Sequence, residues 1–320
     1  MPSSNYVVSV DLGGTHLRIG AVREDGAVEE MEKGESESRS GSAAVIGRVA
    51  QGIRRMAERV EGRGKIAGVA LGFPGIVDCE KGIVYQSPHF PDWKDLDILS
   101  YFKKEMPWPV TVDNDANMAA LGEGWKGAGS GLKNFVMLTL GTGVGGGIVI
   151  DGRVFHGDRG FAGEVGHIGI EIEGPRCACG SHGCLETFVS ARGIMRLVEE
   201  SDHVDGRDRL LARFEKPVER LTVKELYEAA LNGDIFAHGI FKKMGRYLGG
   251  GIASLTNTLG IENFILGGGV AQAWDFFIEP AKKELAARTY RETAKLVQIK
   301  KALLGDNAAL VGGATSVLRR

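Results

Sequence analysis

Residues 6–15 read YVVSVDLGGT, and their pattern defines the first structural unit of the chain. Its β-branched and apolar first half predicts a buried strand that ends at Asp11. The glycine turn leads into a second predicted strand at 17–22, and Asp25-Gly26 closes a hairpin into a third strand. These residues therefore predict a unit of strand, glycine turn, strand and hairpin.

A related unit returns in the second half of the chain, about 130 residues later. Residues 135–140 predict a strand, 141–143 a turn, and 147–150 a strand that runs into a hairpin at Asp151-Gly152. We interpret the two segments as copies of one unit that face each other across a cleft.

Helices are predicted around these strands. An apolar stripe predicts a helix through 45–60, and Thr222 forms a capping box with Glu225. The other predicted elements are helices at 240–259 and 274–289, a strand at 263–266 and a short C-terminal helix at 307–318. The first of these helices contains Gly249-Gly250-Gly251, and glycine there costs about 1 kcal/mol per residue relative to alanine. We therefore expect close packing or ligand approach at that run.

Length and charge restrict the class of protein. A chain of 320 residues exceeds what one hydrophobic core usually supports, so we expect two lobes. The net charge of −2 offers no basic field for nucleic acid or anionic membranes, and no stretch approaches the roughly 20 apolar residues of a membrane span. Residues 1–5 show neither a basic start nor an apolar export segment. We expect a cytoplasmic protein without nucleic-acid or membrane partners.

The 48 glycines are concentrated in a few runs, and such runs let backbone approach a ligand closely. In residues 11–15, a carboxylate at a strand end precedes amides and a hydroxyl that can face a phosphate, and 140–145 repeats this without the carboxylate. Both turns suit phosphoryl transfer, in which the protein mainly positions groups and stabilises charge. The alternative is that both are ordinary hairpin turns.

Two other phosphate-binding motifs are excluded. Gly141, Gly143 and Gly146 formally satisfy GxGxxG, but a dinucleotide fingerprint needs a helix next and an acid about 20 residues on. The next segment, 147–152, predicts a strand and a hairpin turn instead. The sequence contains no GxxxxGK[ST], so a P-loop is excluded as well.

Four soft ligands lie close together in the sequence, namely His167, Cys177, Cys179 and Cys184. Four nitrogen and sulfur ligands without an open position describe a tetrahedral structural zinc site. A catalytic zinc is disfavoured because no ligand position remains for water. The other alternative is a reduced loop with incidental cysteines.

Residues 112–117 end a predicted strand with polar side chains, at a place suited to meet a ligand, and then enter an alanine-rich helix. Asp113 or Asp115 could accept the proton of an attacking hydroxyl, and an ordinary carboxylate suffices if the transition state is loose. The alternative is helix capping by Asp or Asn. Glu164 and Glu186 flank the cysteine and histidine cluster, which would hold both acids near one spot; the alternative is that they are surface acids.

Together these segments resemble the ROK family of sugar kinases, and within it the bacterial glucokinases. The resemblance runs through nearly the whole chain and is most specific at 163–186, where GEVGH is followed by CxCGxxGCLE. It implies an α/β, two-lobed fold of the actin/hexokinase (ribonuclease H-like) type, with an ATP cleft between the lobes. The implied lobes are residues 1–112, completed by the C-terminal helix at about 303–320, and residues 113–302, which hold the zinc knot.

The resemblance also implies roles for individual residues, with Asp115 as the catalytic base. The implied sugar contacts are Gly75, His89, Asn114, Asp115, Glu164, His167 and Glu186. The implied contacts to ATP and its Mg²⁺ are Asp11, Gly13, Gly14 and Thr15, then Gly141, Thr142 and Gly143, then Gly267, Gly268 and Gly269. Zn²⁺ is implied at His167, Cys177, Cys179 and Cys184, and His167 is similar to a histidine that offers its other nitrogen to the sugar.

The reaction implied is ATP-dependent phosphorylation of a hexose at the 6-hydroxyl, with glucose to glucose 6-phosphate in glycolysis as the first choice and a homodimer or homotetramer as the assembly. Residues 89–93 read HFPDW where the family often has NLPGW, so His89 bears on the choice of hexose. Mannose, fructose and N-acetylated hexosamines are the alternatives. The family also contains sugar-responsive repressors, which place a helix-turn-helix before the first phosphate loop. Because five residues precede the first predicted strand, and Asp11 and Asp115 are present, we expect an enzyme.

Overall fold

The structure is a computed structural model that describes residues 4–319. Residues 1–3 of the N-terminal segment, which we expect to carry no export signal, lie outside the described residues, as does residue 320, the end of the first lobe implied by the resemblance. Among the helices of residues 4–319, none combines the length and the apolar character needed to cross a membrane.

Strands and helices alternate along much of the chain. The strands are β1 (Ser4–Leu12), β2 (His16–Arg23), β3 (Val28–Glu35), β4 (Gly64–Phe73), β5 (Ile76–Asp78), β6 (Ile83–Gln86), β7 (Lys94–Asp97), β8 (Val110–Asn114), β9 (Phe135–Leu140), β10 (Val144–Ile150), β11 (Arg153–Val154), β12 (Asn263–Gly267) and β13 (Gln298–Lys301). The α-helices are α1 (Ser42–Val60), α2 (Ile98–Glu105), α3 (Asp115–Lys126), α4 (Glu186–Val189), α5 (Ala191–Glu199), α6 (Val204–Phe214), α7 (Val223–Leu231), α8 (Ile235–Leu259), α9 (Trp274–Arg288), α10 (Arg291–Leu296) and α11 (Ala308–Leu318). Short 3₁₀ helices lie at Val165–His167, Val218–Arg220, Gly269–Ala273 and Gly305–Asn307.

Two five-stranded sheets have the same strand order. The first runs β3-β2-β1-β4-β8 and the second β11-β10-β9-β12-β13. In both, a hairpin stands at one edge and a parallel pair of strands at the other. The predicted α/β fold and its duplicated unit are therefore confirmed. A third sheet, β5-β6-β7, was not predicted, because strands of three or four residues carry too little alternation to be recognised.

The register of the first sheet brings several polar residues to one edge. Strand β4 pairs in parallel with both β1 and β8, so Gly72 lies opposite Asp11 on one side and Asp113 on the other. Carboxyl ends of parallel strands meet at the same edge of a sheet. The first glycine turn and the start of α3 therefore follow strand ends at the same edge.

Helix α1 covers one face of the first sheet with the apolar stripe that the sequence predicted. Val45, Val49, Ile53, Met56 and Val60 are all buried in a core that also includes residues of β1 and β4. Burying side chains of this size contributes about 1.5–3 kcal/mol each relative to exposure. This stripe therefore anchors α1 to the sheet that carries the first glycine turn.

The long helix α8 explains the internal glycine run. A Cβ atom built on Gly249 would lie 2.2 Å from the carbonyl oxygen of Ala281 in α9, so only glycine allows the two helices to approach this closely. The close packing expected from the sequence is confirmed. At the start of α7, Thr222 and Glu225 form the predicted capping box, with Glu225 N–H donating to the Thr222 hydroxyl at 3.2 Å.

The chain divides into two compact units. Unit 1 comprises Met1–Met137, Gly147–Gly163 and Ala302–Arg320, and unit 2 comprises Leu138–Gly146 and Glu164–Lys301. Helices α3 and α11 both belong to unit 1, where the buried carboxylate of Glu123 accepts the backbone N–H groups of Leu303 and Leu304. The lobe boundaries expected from the resemblance stay a prediction.

Candidate active site and metal centre

The first glycine turn in unit 1 is held by its own backbone and by Ser36. Gly13 N–H donates to the carbonyl of His16 at 2.8 Å, and the Ser36 hydroxyl donates to the carbonyl of Gly14 at 2.8 Å. Ser36 is 2% exposed, whereas Thr15 is exposed. The turn therefore keeps a fixed shape while its hydroxyl faces outward. Ser36 follows a polar strand, and no sequence signal pointed to it.

His89 lies directly against this turn. A Cβ atom built on Gly14 would come within 2.5 Å of His89 Cγ, so a larger residue at position 14 would require the His89 side chain to move. His89 stands in the loop between β6 and β7 and is half-buried. The residue that departs from the family pattern is thus a neighbour of the first predicted phosphate loop.

Asp11, the residue before the end of β1, lies beside a cation that the sequence did not point to. Arg18 Nη1 donates to Asp11 Oδ2 at 2.9 Å, and the same guanidinium pairs with Asp306 at 3.0 Å. Burial raises the pKa of Asp11, and the adjacent Arg18 opposes that rise. Arg18 sits on β2 opposite Asp11, a pairing that only the hairpin register reveals.

Asn114 caps helix α3 and also contacts Gly75. Its side-chain oxygen accepts N–H groups of Ala116 and Asn117 at 2.8 and 3.2 Å, and its Nδ2 donates to the Gly75 carbonyl at 2.9 Å. The helix-capping alternative is therefore correct for Asn114. The same bonds bring the predicted sugar residue Gly75 to the start of α3, where half-buried Asp115 is the first helical residue.

The carboxylate of Asp113 lies within hydrogen-bonding distance of three donors. Its Oδ2 lies 2.9 Å from His156 Nε2, while its Oδ1 accepts the backbone N–H of Asn114 at 2.7 Å and the Asn117 amide at 3.0 Å. The side chain is buried, and the hydrogen bond to Asp113 is the largest of the influences that raise the pKa of His156 to about 10. Asp113 therefore serves as an acceptor within the protein. His156 was not predicted, because a lone histidine carries no signal in the sequence.

Three hydrogen bonds hold the second glycine turn, which lies in unit 2. Gly141 N–H donates to the Gly143 carbonyl at 2.9 Å, and Ala191 N–H at the start of α5 donates to the Gly141 carbonyl at 2.8 Å. Glu186 Oε2 accepts the N–H of Val144 at 2.9 Å. The segment continues directly into β10 and not into a helix, which confirms that its GxGxxG pattern is not a dinucleotide fingerprint.

The third glycine turn follows β12. Gly268 has a φ of 85°, a conformation that favours glycine, and a Cβ there would lie 2.3 Å from the Leu140 carbonyl oxygen. Leu140 is the last residue before the second turn. Gly267, Gly268 and Gly269 are therefore brought to the residue that precedes Gly141, Thr142 and Gly143, inside one unit.

The structure brings His167, Cys177, Cys179 and Cys184 together, with one ligand atom from each lying within 4.8 Å of the others. Cys179 Sγ and Cys184 Sγ are 3.7 Å apart, and Cys177 Sγ lies 3.7 Å from His167 Nδ1. Thiolates bound tetrahedrally to zinc at about 2.3 Å would stand about 3.8 Å apart. The cluster therefore fits a four-coordinate metal ion.

Glu164 and Glu186 stand on either side of this cluster in unit 2. Glu164 Oε2 lies 3.8 Å from His167 Nε2, the ring nitrogen that faces away from the cysteines. Burial raises the pKa of Glu164, His167 opposes this, and the charge of Glu186 adds to it. The acids are therefore close enough to influence each other, as the sequence analysis expected of residues held by one knot.

The predicted site residues divide between the two units. Those in unit 1 are Asp11, Gly13, Gly14, Thr15, Gly75, His89, Asn114 and Asp115. Those in unit 2 are Gly141, Thr142, Gly143, Glu164, His167, Cys177, Cys179, Cys184, Glu186, Gly267, Gly268 and Gly269. Within each unit, the contacts described above link neighbouring members of the set.

The chain belongs to the ROK family, because the sequence model of that family matches residues 7–320. A glucokinase from Halalkalibacterium halodurans is 37% identical over 97% of this chain and 94% of its own length. A ROK family glucokinase from Streptomyces griseus, solved in complex with glucose and AMPPNP, has a TM-score of 0.83 at 30% identity over 98% of this chain and all of that one. The predicted family and two-lobed sugar kinase fold are confirmed.

The family also includes regulators. A xylose repressor from Caldicellulosiruptor bescii is 31% identical over 77% of this chain, but the match covers 61% of the repressor. The glucokinase match, by contrast, extends over nearly the whole of both proteins.

Proposed function

We propose that this protein is an ATP-dependent glucokinase that transfers the terminal phosphoryl group of ATP to the 6-hydroxyl of glucose. The observation that carries this proposal is the junction of β8 and α3, where the two candidate aspartates have different surroundings. Asp113 is buried and held by three donors, whereas Asp115 is half-buried at the first position of α3, next to the proposed sugar residue Asn114, so we assign the substrate hydroxyl to Asp115. The full-length similarity to glucokinases supports the same activity.

Asp115 acts as the base. Its carboxylate aligns the 6-hydroxyl and accepts its proton as the hydroxyl oxygen bonds to phosphorus and the ADP oxygen leaves. A carboxylate with a reference pKa of about 3.9 suffices, because in a loose transition state the proton departs late. Its place at the N-terminus of α3 keeps it near the positive end of the helix dipole.

The three glycine turns bind ATP. Amides and hydroxyls at 13–15 and 141–143 stabilise charge on the phosphates, and residues 267–269 contact the adenosine. Asp11 would help to hold Mg²⁺, which neutralises phosphate charge when bound. Arg18, paired with Asp11, keeps that carboxylate oriented.

The sugar contacts are Gly75, His89 and Asn114 in unit 1 and Glu164, His167 and Glu186 in unit 2. Carboxylates and amides suit paired hydroxyls, and a buried polar group left unpaired by the wrong sugar makes such selection steep. Acids at the end of the ring opposite the 6-hydroxyl favour a free 2-hydroxyl over a bulky N-acetyl group. We therefore propose glucose as the preferred substrate, ahead of mannose, fructose and the N-acetylated hexosamines.

The four-ligand cluster holds a structural zinc ion. His167 Nδ1 and the three cysteine sulfurs are its ligands, which leaves Nε2 directed towards Glu164 and available to the sugar. When bound, zinc cross-links the loop 174–184 and fixes the tautomer of His167. A cytoplasmic location and a homodimer or homotetramer stay predictions.

Steady-state kinetics with ATP and a panel of hexoses tests the proposal. We expect the highest kcat/KM for glucose among glucose, mannose, fructose, N-acetylglucosamine and N-acetylmannosamine, with glucose 6-phosphate as the product by NMR. A tenfold preference for either N-acetylated sugar would contradict the glucokinase assignment and leave a sugar kinase. No turnover with any of the sugars would contradict the activity itself.

A further inference from the structure

His156 is the outermost member of a chain of contacts that ends at the proposed base. It follows β11, and its side chain is 28% exposed. Its Nε2 lies 2.9 Å from Asp113 Oδ2. The other oxygen of Asp113 accepts Asn114 N–H and the Asn117 amide, one from the end of β8 and one from the first turn of α3.

His156 carries a positive charge at neutral pH, beside the carboxyl group of Asp113. The Asp113 hydrogen bond is the main cause that raises the pKa of His156 to about 10, and the Cys79 thiol, in the turn between β5 and β6, adds to it. The Asp113 side chain is 9% exposed, so little water reaches it. Removing one partner of a mostly buried pair leaves the other charge uncompensated, which is far more damaging than losing a surface pair.

An uncompensated Asp113 would not stay where it is. Its carboxylate would move towards water, and this movement weakens the hydrogen bonds that it accepts from Asn114 N–H and from Asn117. Asn114 is also the cap of α3 and the partner of Gly75. The residue that would shift with it is Asp115, the next in the chain.

We propose that His156 is a positioning residue for phosphoryl transfer, because through Asp113 it fixes the β8–α3 junction that carries Asn114 and Asp115. This inference rests on the proposed function. It assigns to His156 no contact with substrate.

The expected effect is selective. Loss of His156 should disturb the sugar contact of Asn114 and the alignment by Asp115, which raises KM for glucose and lowers kcat. The second glycine turn is held by hydrogen bonds to Ala191 and Glu186 within unit 2, whereas the contacts of His156 with Asp113 and Cys79 lie within unit 1. KM for ATP should therefore change little.

The surroundings of His156 allow a direct rescue. His156 and Asp113 line a cavity of about 1100 Å³ together with Thr111 and Val154. In a variant that lacks the ring, free imidazole can enter this cavity and pair with Asp113. A loss caused by general destabilisation would not respond to imidazole.

The experiment compares H156A with H238A. His238 is the control histidine: it is exposed, and like His156 it makes a ring-nitrogen hydrogen bond, to the Ala230 carbonyl at 2.8 Å, far along the chain from the junction. For H156A we expect kcat to fall about tenfold or more and KM for glucose to rise at least threefold, with KM for ATP within twofold and partial recovery in millimolar imidazole. For H238A we expect wild-type KM values and no response to imidazole. H156F, which removes both nitrogens but keeps a ring, should show the same split of constants and replaces H156A if that variant does not fold.

Wild-type kcat and KM for glucose in H156A or H156F would overturn the inference. A fall in kcat with unchanged KM for glucose and no imidazole response would also overturn it. That result is expected when the variant merely contains less folded protein. Wild type and D115N are measured alongside. Sugar phosphorylation by the wild type that is lost in D115N supports the proposed function whatever H156A does, and a wild type inactive on every hexose overturns both.

Discussion

The carboxylate of Glu186 accepts a hydrogen bond from the backbone N–H of Val144, at 2.9 Å. Glu186 begins α4, two residues after the cluster member Cys184, and Val144 is the first residue after the second glycine turn. A Cβ on Gly143 would lie 2.6 Å from the same carboxylate oxygen. Glu186, which we propose as a sugar contact, therefore also holds the second glycine turn, which we propose binds ATP.

Replacing Glu186 should therefore affect both substrates. In E186A we expect KM for ATP to rise about tenfold, since a hydrogen bond to a charged group contributes about 1.5–3 kcal/mol, and KM for glucose to rise as well. Glu173, an exposed acid of the neighbouring loop, provides the control variant E173A, for which both constants should stay unchanged. An unchanged KM for ATP in E186A would show that the Val144 contact does not shape the turn.

Substitutions of the two aspartates at the β8–α3 junction should have different effects on turnover and stability. D115N should keep its fold and its glucose affinity by calorimetry, yet lose a factor of 10² or more in kcat, as expected of a positioned base. D113N should lower thermal stability and, like H156A, raise KM for glucose and lower kcat by less than D115N does, because it weakens the pairing with His156 that fixes the junction. Near-normal turnover of D115N would move the catalytic role to another acid.

The cysteine and histidine cluster should bind zinc. Elemental analysis of the purified protein should give about one zinc per chain, and C177A should lose it, since a tetrahedral site needs all four ligands. Cys79 lies outside the cluster, so C79S should keep the metal. Zinc-free protein with full activity would refute a structural role for the ion.

The charge on His156 should appear in the dependence of stability on pH. Its pKa in the folded protein is raised from 6.5 to about 10, so the stability that it contributes is complete below pH 6.5 and is lost as pH rises towards 10. Melting temperatures of wild type and H156A, measured between pH 6.5 and 10, should differ most at the acid end and converge at the alkaline end. A gap that stays constant across this range would mean that the ring acts without its charge.

Position 14 should tolerate glycine alone. G14A places a methyl group against His89, so we expect at least a tenfold loss of kcat/KM, part of which H89A should restore in the double variant. Gly34 is the control, because a Cβ there meets no atom within 4 Å, and G34A should keep its activity. If H89A fails to restore any activity to G14A, the two residues do not act through their contact.

Much of the fold was predictable because its signals are local. Strand β1, its glycine turn and β2 follow from alternation and turn chemistry within about 20 residues, and the capping box of α7 follows from two residues three apart. The metal cluster was equally accessible, since its three cysteines lie within eight residues. The residues that cause each of these features lie close together in the sequence.

The pairings that organise the site were not accessible in this way. His156 and Asp113 are 43 residues apart, and Glu186 and Val144 are 42 apart. Each member of these pairs is an ordinary polar residue in its own neighbourhood, so neither composition nor periodicity distinguishes it. The contact of His89 with Gly14 is of the same kind, as it joins a loop to a turn on another strand pair.

Residues close together in the chain were therefore enough to predict the first strands, the glycine turns, the cluster of metal ligands and the family. Contacts between distant parts of the chain were needed to show that Asp113 is buried among three donors and that Glu186 holds the second turn. The reason is physical: a carboxylate becomes an acceptor for the protein or a group for the substrate according to the donors that distant elements bring to it and to the water that they exclude. Asp113 and Asp115 have the same side chain, and packing alone makes them different.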